Sequence, residues 1–240
     1  MYVVTLPAAV LVDLDDTIVD GSAVVDCWAV ACECCAPPAD AAVVLAEILR
    51  LREWFWSDAE RHRRGRLDLS AARREIARMA LENVRCADDA LASRIAERYD
   101  ECRDARTRLF PGAVETLRWL RDHGCRLALV TNGGARTQRE KIVRFRLEPL
   151  FDLILVEGEL GFGKPDERIY RMALGALAAS PHEACMIGDN LEWDVAHAQK
   201  LGMAAIWVDP GRGLPDACDV RPDAIVRGLG ELRGAFRWRQ

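Results

Sequence analysis

AAVLVDLDDT, residues 8–17, decides the fold: five apolar residues run straight into an acidic turn carrying Asp13, Asp15, Asp16 and Thr17. An apolar run this short and continuous fits a strand covered on both faces, as in a parallel sheet with helices on either side. Ligands of such open sheets gather beyond the carboxyl ends of the strands, where Asp13 and Asp15 are expected. Two residues apart in extended chain, their side chains project to the same side and can converge on one ligand.

Downstream, from Pro111 onward, helical and strand-like segments alternate, the pattern of a parallel sheet with crossover helices. A helix over Pro111–His123 opens on proline and closes at Gly124. Strand Arg126–Val130, helix Arg136–Phe145, strand Leu153–Val156 and helix Asp166–Ala179 are expected next. Strand Ala184–Ile187, helix Glu192–Leu201 with Gly202 as its cap, and strand Ala204–Val208 complete the series. Between about Asp20 and Arg108 the alternation stops and only helical periodicity remains. Val44, Ile48, Leu51 and Phe55 recur at three or four residues, as do Leu91, Ile95, Arg98, Tyr99 and Cys102 with one polar exception. The reading is α/β: a doubly wound, Rossmann-like parallel sheet built from residues 1–20 and 109–240, with an all-helical domain, residues 21–108, inserted after the first strand.

At 240 residues, half of them hydrophobic, the chain can bury one large core and a smaller second one. A net charge of −5 argues against a nucleic-acid backbone as principal partner, because counterion-release binding needs a basic surface. The apolar segment Met1–Val12 lacks a basic leader and reads as a buried strand, not a signal peptide. No apolar run approaches the ~18–20 residues of a membrane span, so a cytoplasmic location without membrane contact is expected. Nine cysteines then read as free thiols. The dense group Cys27, Cys32, Cys34 and Cys35 has no histidine nearby and reads as small buried helix residues, not metal ligands.

Three more polar clusters fall at expected strand ends. Thr131, Asn132 and Gly133 follow the strand LALV, and a hydroxyl, an amide and glycine backbone donors can surround a phosphoryl group; an Asn-Gly turn alone reads the same way. Lys164 lies in GFGKPD, and Lys141, Lys164 and Lys200 are the only lysines of a chain that otherwise uses arginine, so a compact point charge is wanted at one or more of them. GDNLEWD, residues 188–194, follows the strand ACMI and puts Asp189 at the strand end, with Asp194 in the first turn of the next helix, where an acid also serves as a dipole partner. Asp13, Asp15 and Asp189 side by side repel one another. A shared divalent cation relieves that repulsion, and oxygen ligands point to Mg²⁺ over zinc.

DLDDT, the strand-terminal Thr131, GKPD and GDNLEWD, in this order, closely resemble the four motifs of the haloacid dehalogenase superfamily, and the helical insertion resembles the cap of its metabolite phosphatases. The resemblance covers nearly the whole chain. It implies an Mg²⁺-dependent phosphatase acting on a small phosphorylated metabolite. Asp13 would attack phosphorus and form an aspartyl-phosphate, while Asp15 would protonate the leaving oxygen and then activate water. Thr131 and the amides near Asn132 would hold phosphoryl oxygens, Thr17 would join the substrate contacts, and Lys164 would neutralise charge. The metal would bind Asp13, Asp15 through its main-chain carbonyl, and Asp189, with Asp194 orienting that shell or Lys164. The second acid at Asp15 disfavours the dehalogenase branch, and the absence of lysine from residues 21–108 disfavours phosphonate cleavage through a Schiff base. A phosphomutase, another phosphoryl-transfer enzyme and a non-catalytic phosphate- or protein-binding module remain as alternatives. In the inserted domain, Trp54, Trp56 and the basic run Arg61, His62, Arg63, Arg64 are candidates to meet the leaving group; core packing of the tryptophans and a solvated surface for the arginines are the competing readings.

Overall fold

The computed structural model describes residues 4–22, 24–37, 40–209, 211, 213–214 and 219–237. The chain divides into two compact units, residues 21–108 and residues 1–20 with 109–240.

The first unit is helical: α1 (Val24–Cys35), α2 (Ala41–Ser57), α3 (Ala59–Leu67), α4 (Leu69–Asn83) and α5 (Asp89–Arg106). Asp58, Asp68 and Asp88 cap α3, α4 and α5 by accepting from the amides of Arg61, Ala71 and Leu91, the orphan donors of each first turn. Val44, Ile48, Leu51 and Phe55 of α2 face inward against Ile76, Leu81, Leu91, Ile95 and Tyr99, and Tyr99 stacks on Trp28 with ring centroids 4.1 Å apart. Arg98, the polar exception, stays nearer the surface and pairs with Glu101. Cys27 and Cys32 are buried as expected, but Cys34 is exposed and Cys35 half-buried, because the apolar face of α1 is narrower than its cysteine run. Cys32 and Cys35 share C-x-x-C spacing, yet among the described residues the cysteines form no disulfide and join no acid or histidine cluster suited to a metal. Cys218 lies outside the described residues.

In the second unit, six parallel strands form one sheet among the described residues: β1 (Ala9–Val12), β2 (Arg126–Thr131), β3 (Leu153–Val156), β4 (Ala184–Gly188), β5 (Ala204–Val208) and β6 (Ala224–Val226). Their order is β3-β2-β1-β4-β5-β6, the doubly wound arrangement whose crevice lies where the winding reverses beside β1. Helices α6 (Ala113–Asp122), α7 (Ala135–Arg144), α8 (Glu157–Leu160), α9 (Glu167–Ala176) and α10 (His197–Lys200) connect them, and α11 (Leu232–Ala235) follows β6. Alternate residues feed two cores. Val10, Val12, Leu127, Leu129, Cys185 and Ile187 pack with Leu117 and Ile142 on one face. Leu11, Ala128, Val130, Met186 and Ala205 pack with Ile169 and Tyr170 on the other. Burial on both faces explains why β1 reads as continuous apolar sequence.

Three details differ from the sequence reading. The strand expected over Met1–Val12 is shorter, since Pro7 offers no amide to a ladder; Val4–Thr5 instead pairs with Phe236–Arg237, and Met1–Val3 lie outside the described residues. The helix expected over Glu192–Leu201 is a wide π-turn at Leu191–Ala196 followed by α10. Strand β6 and helices α8 and α11, three or four residues each, are too short to leave a periodic signal. Among the described residues no helix is long and apolar enough to cross a membrane.

Candidate active site

β1 lies between β2 and β4, so the three central strands bring Asp13, Thr131 and Asp189 to one edge of the sheet. The Asp13 amide donates to the Ile187 carbonyl at 2.9 Å, which ties the end of β1 to β4. Ligand-capable oxygens of Asp13, Asp189 and Asp194 lie within 4.8 Å of one another. Lys164 is almost fully buried, and its Nζ donates to Asp13 Oδ1 and Asp194 Oδ1, both at 2.6 Å. A buried ammonium is tolerated only where its charge is matched, and here two carboxylates match it.

Asn132 aims that lysine. Its Nδ2 donates to the Lys164 carbonyl at 2.6 Å, and its Oδ1 accepts from the Lys164 amide at 2.7 Å. Such a clamp requires glycine at 163, because a Cβ there would overlap Asn132 Oδ1 and the Glu157 side chain. Gly188 serves the same purpose on β4, where a Cβ would collide with the Asp194 carboxylate. Asp194 is buried in the π-turn, with Oδ2 accepting from the Asn190 amide at 3.0 Å. Asn190 Oδ1 in turn accepts from the amides of Glu192 and Trp193. Asp194, turned inward to Lys164, is therefore a structural partner of the lysine and no mere dipole partner. Trp207 Nε1 donates to the Asp189 carbonyl at 2.8 Å and fixes the loop after β4.

Burial pushes the Asp13 carboxyl well above the usual carboxylate range; Lys164 opposes that shift, and Asp194 and Asp189 reinforce it. For Lys164, burial favours the neutral amine, but Asp13 and Asp194 outweigh it and hold the ammonium charged. One cation among three carboxylates leaves the cluster with excess negative charge. Hard oxygen donors, close spacing and unbalanced charge suit a small divalent cation.

The remaining expected residues divide. Thr131 is buried beside this cluster on the neighbouring strand. The Asp15 carboxylate stands apart from the three-acid group and accepts from Gln138 Nε2 at 2.9 Å and Lys141 Nζ at 2.6 Å. Asn132, read as a substrate contact, has its side-chain amide engaged by Lys164 instead, because clamping the buried lysine uses both of its functions. Thr17 has no exposed surface, and its Oγ1 has no hydrogen-bond partner among the described residues. In the helical unit, Arg63 pairs with Glu60 and Arg64 with Glu75 at the surface. Arg61 lies 3.8 Å over the Trp54 ring and donates to the Trp54 carbonyl. Trp54 is exposed, while Trp56 packs partly against the helical core.

Glu157 and Gln138 escaped the sequence reading, and Lys141 was marked there only by the scarcity of lysine. Glu157, buried at the start of α8, accepts from the Gly133 amide at 3.0 Å and shapes the loop after β2. Gln138 and Lys141 of α7 meet Asp15. The scarcity of lysine was a signal for Lys141: it and Lys164 stand in the site, whereas Lys200 is exposed.

Residues 7–202 match the family described as haloacid dehalogenase-like hydrolase, and the chain belongs to it. It is 43% identical over 165 residues to a phosphoserine phosphatase of Thermus thermophilus, a match that covers 68% of this chain and 64% of that relative, just under two thirds of the relative's own length. Among solved structures, a 2-haloacid dehalogenase from Pseudomonas syringae superposes with a TM-score of 0.64 at 27% identity over 95% of this chain and 97% of that one. The putative HAD-hydrolase YfnB from Bacillus subtilis, crystallised bound to magnesium, superposes with a TM-score of 0.71 over 95% of this chain and 97% of that one; at 23% identity it speaks for the fold alone.

Proposed function

We propose that this protein is a Mg²⁺-dependent phosphatase that hydrolyses a small phosphorylated metabolite through an aspartyl-phosphate on Asp13, in the cytoplasm. The observation that carries the reading is the buried Lys164 bridging Asp13 and Asp194, with Asp189 alongside, at the carboxyl edge of the sheet. Similarity to a phosphoserine phosphatase supports the reaction class.

Phosphoryl transfer depends mainly on positioning and on neutralising charge on the phosphoryl oxygens. Asp13 supplies the attacking oxygen. Lys164 holds that carboxylate in place and offers its positive charge where phosphoryl oxygens arrive. Thr131 and the backbone amides of the loop after β2 donate to those oxygens. Asp15, apart from the acidic cluster and held by Gln138 and Lys141, is the acid for the leaving oxygen and then the base for water. Asp13, Asp189 and the main-chain carbonyl of Asp15 would hold Mg²⁺, with Asp194 orienting Lys164. The ion, when bound, would supply charge neutralisation at the phosphoryl oxygens.

Residues 21–108 form the cap in this reading, selecting the leaving group. A second acid at Asp15 favours a phosphate ester over a carbon–halogen bond, whose halide leaves without a proton. Phosphate release from p-nitrophenyl phosphate should occur with MgCl₂, vanish with EDTA and return on adding Mg²⁺. Release unaffected by thorough chelation would remove the metal from the mechanism. Chloride release from 2-chloropropionate without phosphatase activity would move the chain to the dehalogenase branch, and inertness on both would leave a binding module.

A further inference from the structure

Helix α7 presents Gln138 and Lys141, one turn apart, to two groups of the site at once. Gln138 is almost fully buried. Its Nε2 donates to Thr131 Oγ1 at 2.6 Å and to Asp15 Oδ2 at 2.9 Å, and its Oε1 accepts from Lys141 Nζ at 2.9 Å. Lys141 Nζ also donates to Asp15 Oδ1 at 2.6 Å. Both oxygens of Asp15 are thus held from a single helix face.

From this network we infer that Gln138 and Lys141 are positioning residues for leaving-group protonation: they set the carboxylate of Asp15 and the hydroxyl of Thr131 relative to each other before substrate arrives. The inference rests on the phosphatase reading above. Asp15 sits in a loop beyond its strand, where a carboxylate has torsional freedom, and an error of about 1 Å in a catalytic group costs on the order of 10²-fold in rate. A hydroxyl that accepts from Gln138 has its lone pair engaged on that side, so its own proton is directed elsewhere; among the described residues it reaches the Asn132 carbonyl, at 3.3 Å. A phosphoryl oxygen is a stronger acceptor and would take it.

In the first step an Asp13 oxygen bonds to phosphorus as the bond to the ester oxygen breaks. The electron pair goes to the leaving oxygen, which takes the proton from Asp15. In the second, water attacks phosphorus, gives its proton to Asp15, and the electron pair of the breaking bond returns to Asp13. Only the first step contributes to kcat/KM once the aspartyl-phosphate forms irreversibly, and only a poor leaving group needs the proton in that step.

The experiment compares kcat/KM on an alkyl phosphate, glycerol 1-phosphate, with that on 2,4-dinitrophenyl phosphate, whose phenolate leaves unaided. Lys141→Met should lower kcat/KM on the alkyl ester by about 30-fold or more, yet on the dinitrophenyl ester by less than about 3-fold, whereas Gln138→Leu, which also releases Thr131, should slow both esters and the alkyl ester more. Lys141→Arg should recover part of the loss, since it keeps the charge. If Lys141→Met does not fold, as judged by its melting curve, Lys141→Gln replaces it, because a polar side chain at this partly buried position can still hydrogen-bond. Equal losses on both esters, or no loss on either, would overturn the inference while leaving the phosphatase reading intact. A wild-type enzyme inert on both esters would overturn the reading itself and the inference with it.

Discussion

The sheet unit buries polar and charged side chains fully, whereas among the described residues the helical unit buries such side chains only in part. Among the described residues, Asp13, Thr17, Thr116, Thr131, Gln138, Glu157, Lys164, Asp194 and Asp209 are the buried polar or charged residues, and all nine belong to the sheet unit. The helical unit buries Trp28, Phe55, Ile76, Leu81 and Ile95 and holds pairs such as Arg50–Glu47 and Arg78–Glu82 near the surface, with Arg73–Asp100 partly buried. Buried charge is costly unless matched, so its concentration on one side marks where stability has been exchanged for chemistry. Apolar packing on the other side is ordinary core construction. Substitutions in the two units should therefore fail in opposite ways: activity lost with the fold intact in one, fold weakened in the other.

Asp13→Asn gives the largest expected effect, a loss of turnover of at least about 10⁴-fold, since the near-isosteric amide cannot act as nucleophile. Its stability should move the other way. Burial first, with Asp194 and Asp189, raises the Asp13 pKa above its unfolded value against the pull of Lys164. The folded state thus binds that proton more tightly, and in EDTA it loses stability as pH rises from about 4 through the folded pKa. Asparagine escapes that loss. At neutral pH in EDTA its melting temperature should exceed that of the wild type by a few degrees, a gap that closes near pH 4. A lower melting temperature for the variant at neutral pH would contradict the exchange of stability for chemistry.

Phe55→Ala tests the helical side. Phe55 is fully buried, so truncation should cost about 3–5 kcal/mol in a denaturant melt through lost transfer energy and the cavity left behind. A cost under about 1 kcal/mol would mean that this core is loosely packed and that the contrast between the units is overstated.

The smallest effect is expected of Arg63→Ala with Arg64→Ala. Their partners, Glu60 and Glu75, lie at the surface, and exposed pairs contribute little, so the melting temperature should stay within about 2 °C of the wild type. Phosphate release from p-nitrophenyl phosphate should be unchanged. A selective loss on a substrate whose leaving group carries an additional anion would instead give these arginines a part in discrimination and sharpen the cap reading.

The sequence by itself determined the element types of the sheet and the residues at its working edge. Apolar runs of four to six residues bounded by polar clusters report two-sided burial locally, and Asp13, Thr131 and Asp189 each stand where such a run ends. The i, i+3 and i+4 spacing of Val44, Ile48, Leu51 and Phe55 equally specified an amphipathic helix. Partnership was decided only by the tertiary structure. Lys164 meets Asp13 across 151 positions and Lys141 meets Asp15 across 126, distances at which no periodicity operates. The side-chain clamp of Asn132 on Lys164 and the bond from Lys164 to the inward-turned Asp194 arise because strand order and register place the loops at this edge side by side. Hydrophobic pattern encodes which side of an element is buried. Which polar atoms then face one another depends on strand register and on rotamers set by neighbours from distant sequence, and those exist only once the sheet has formed.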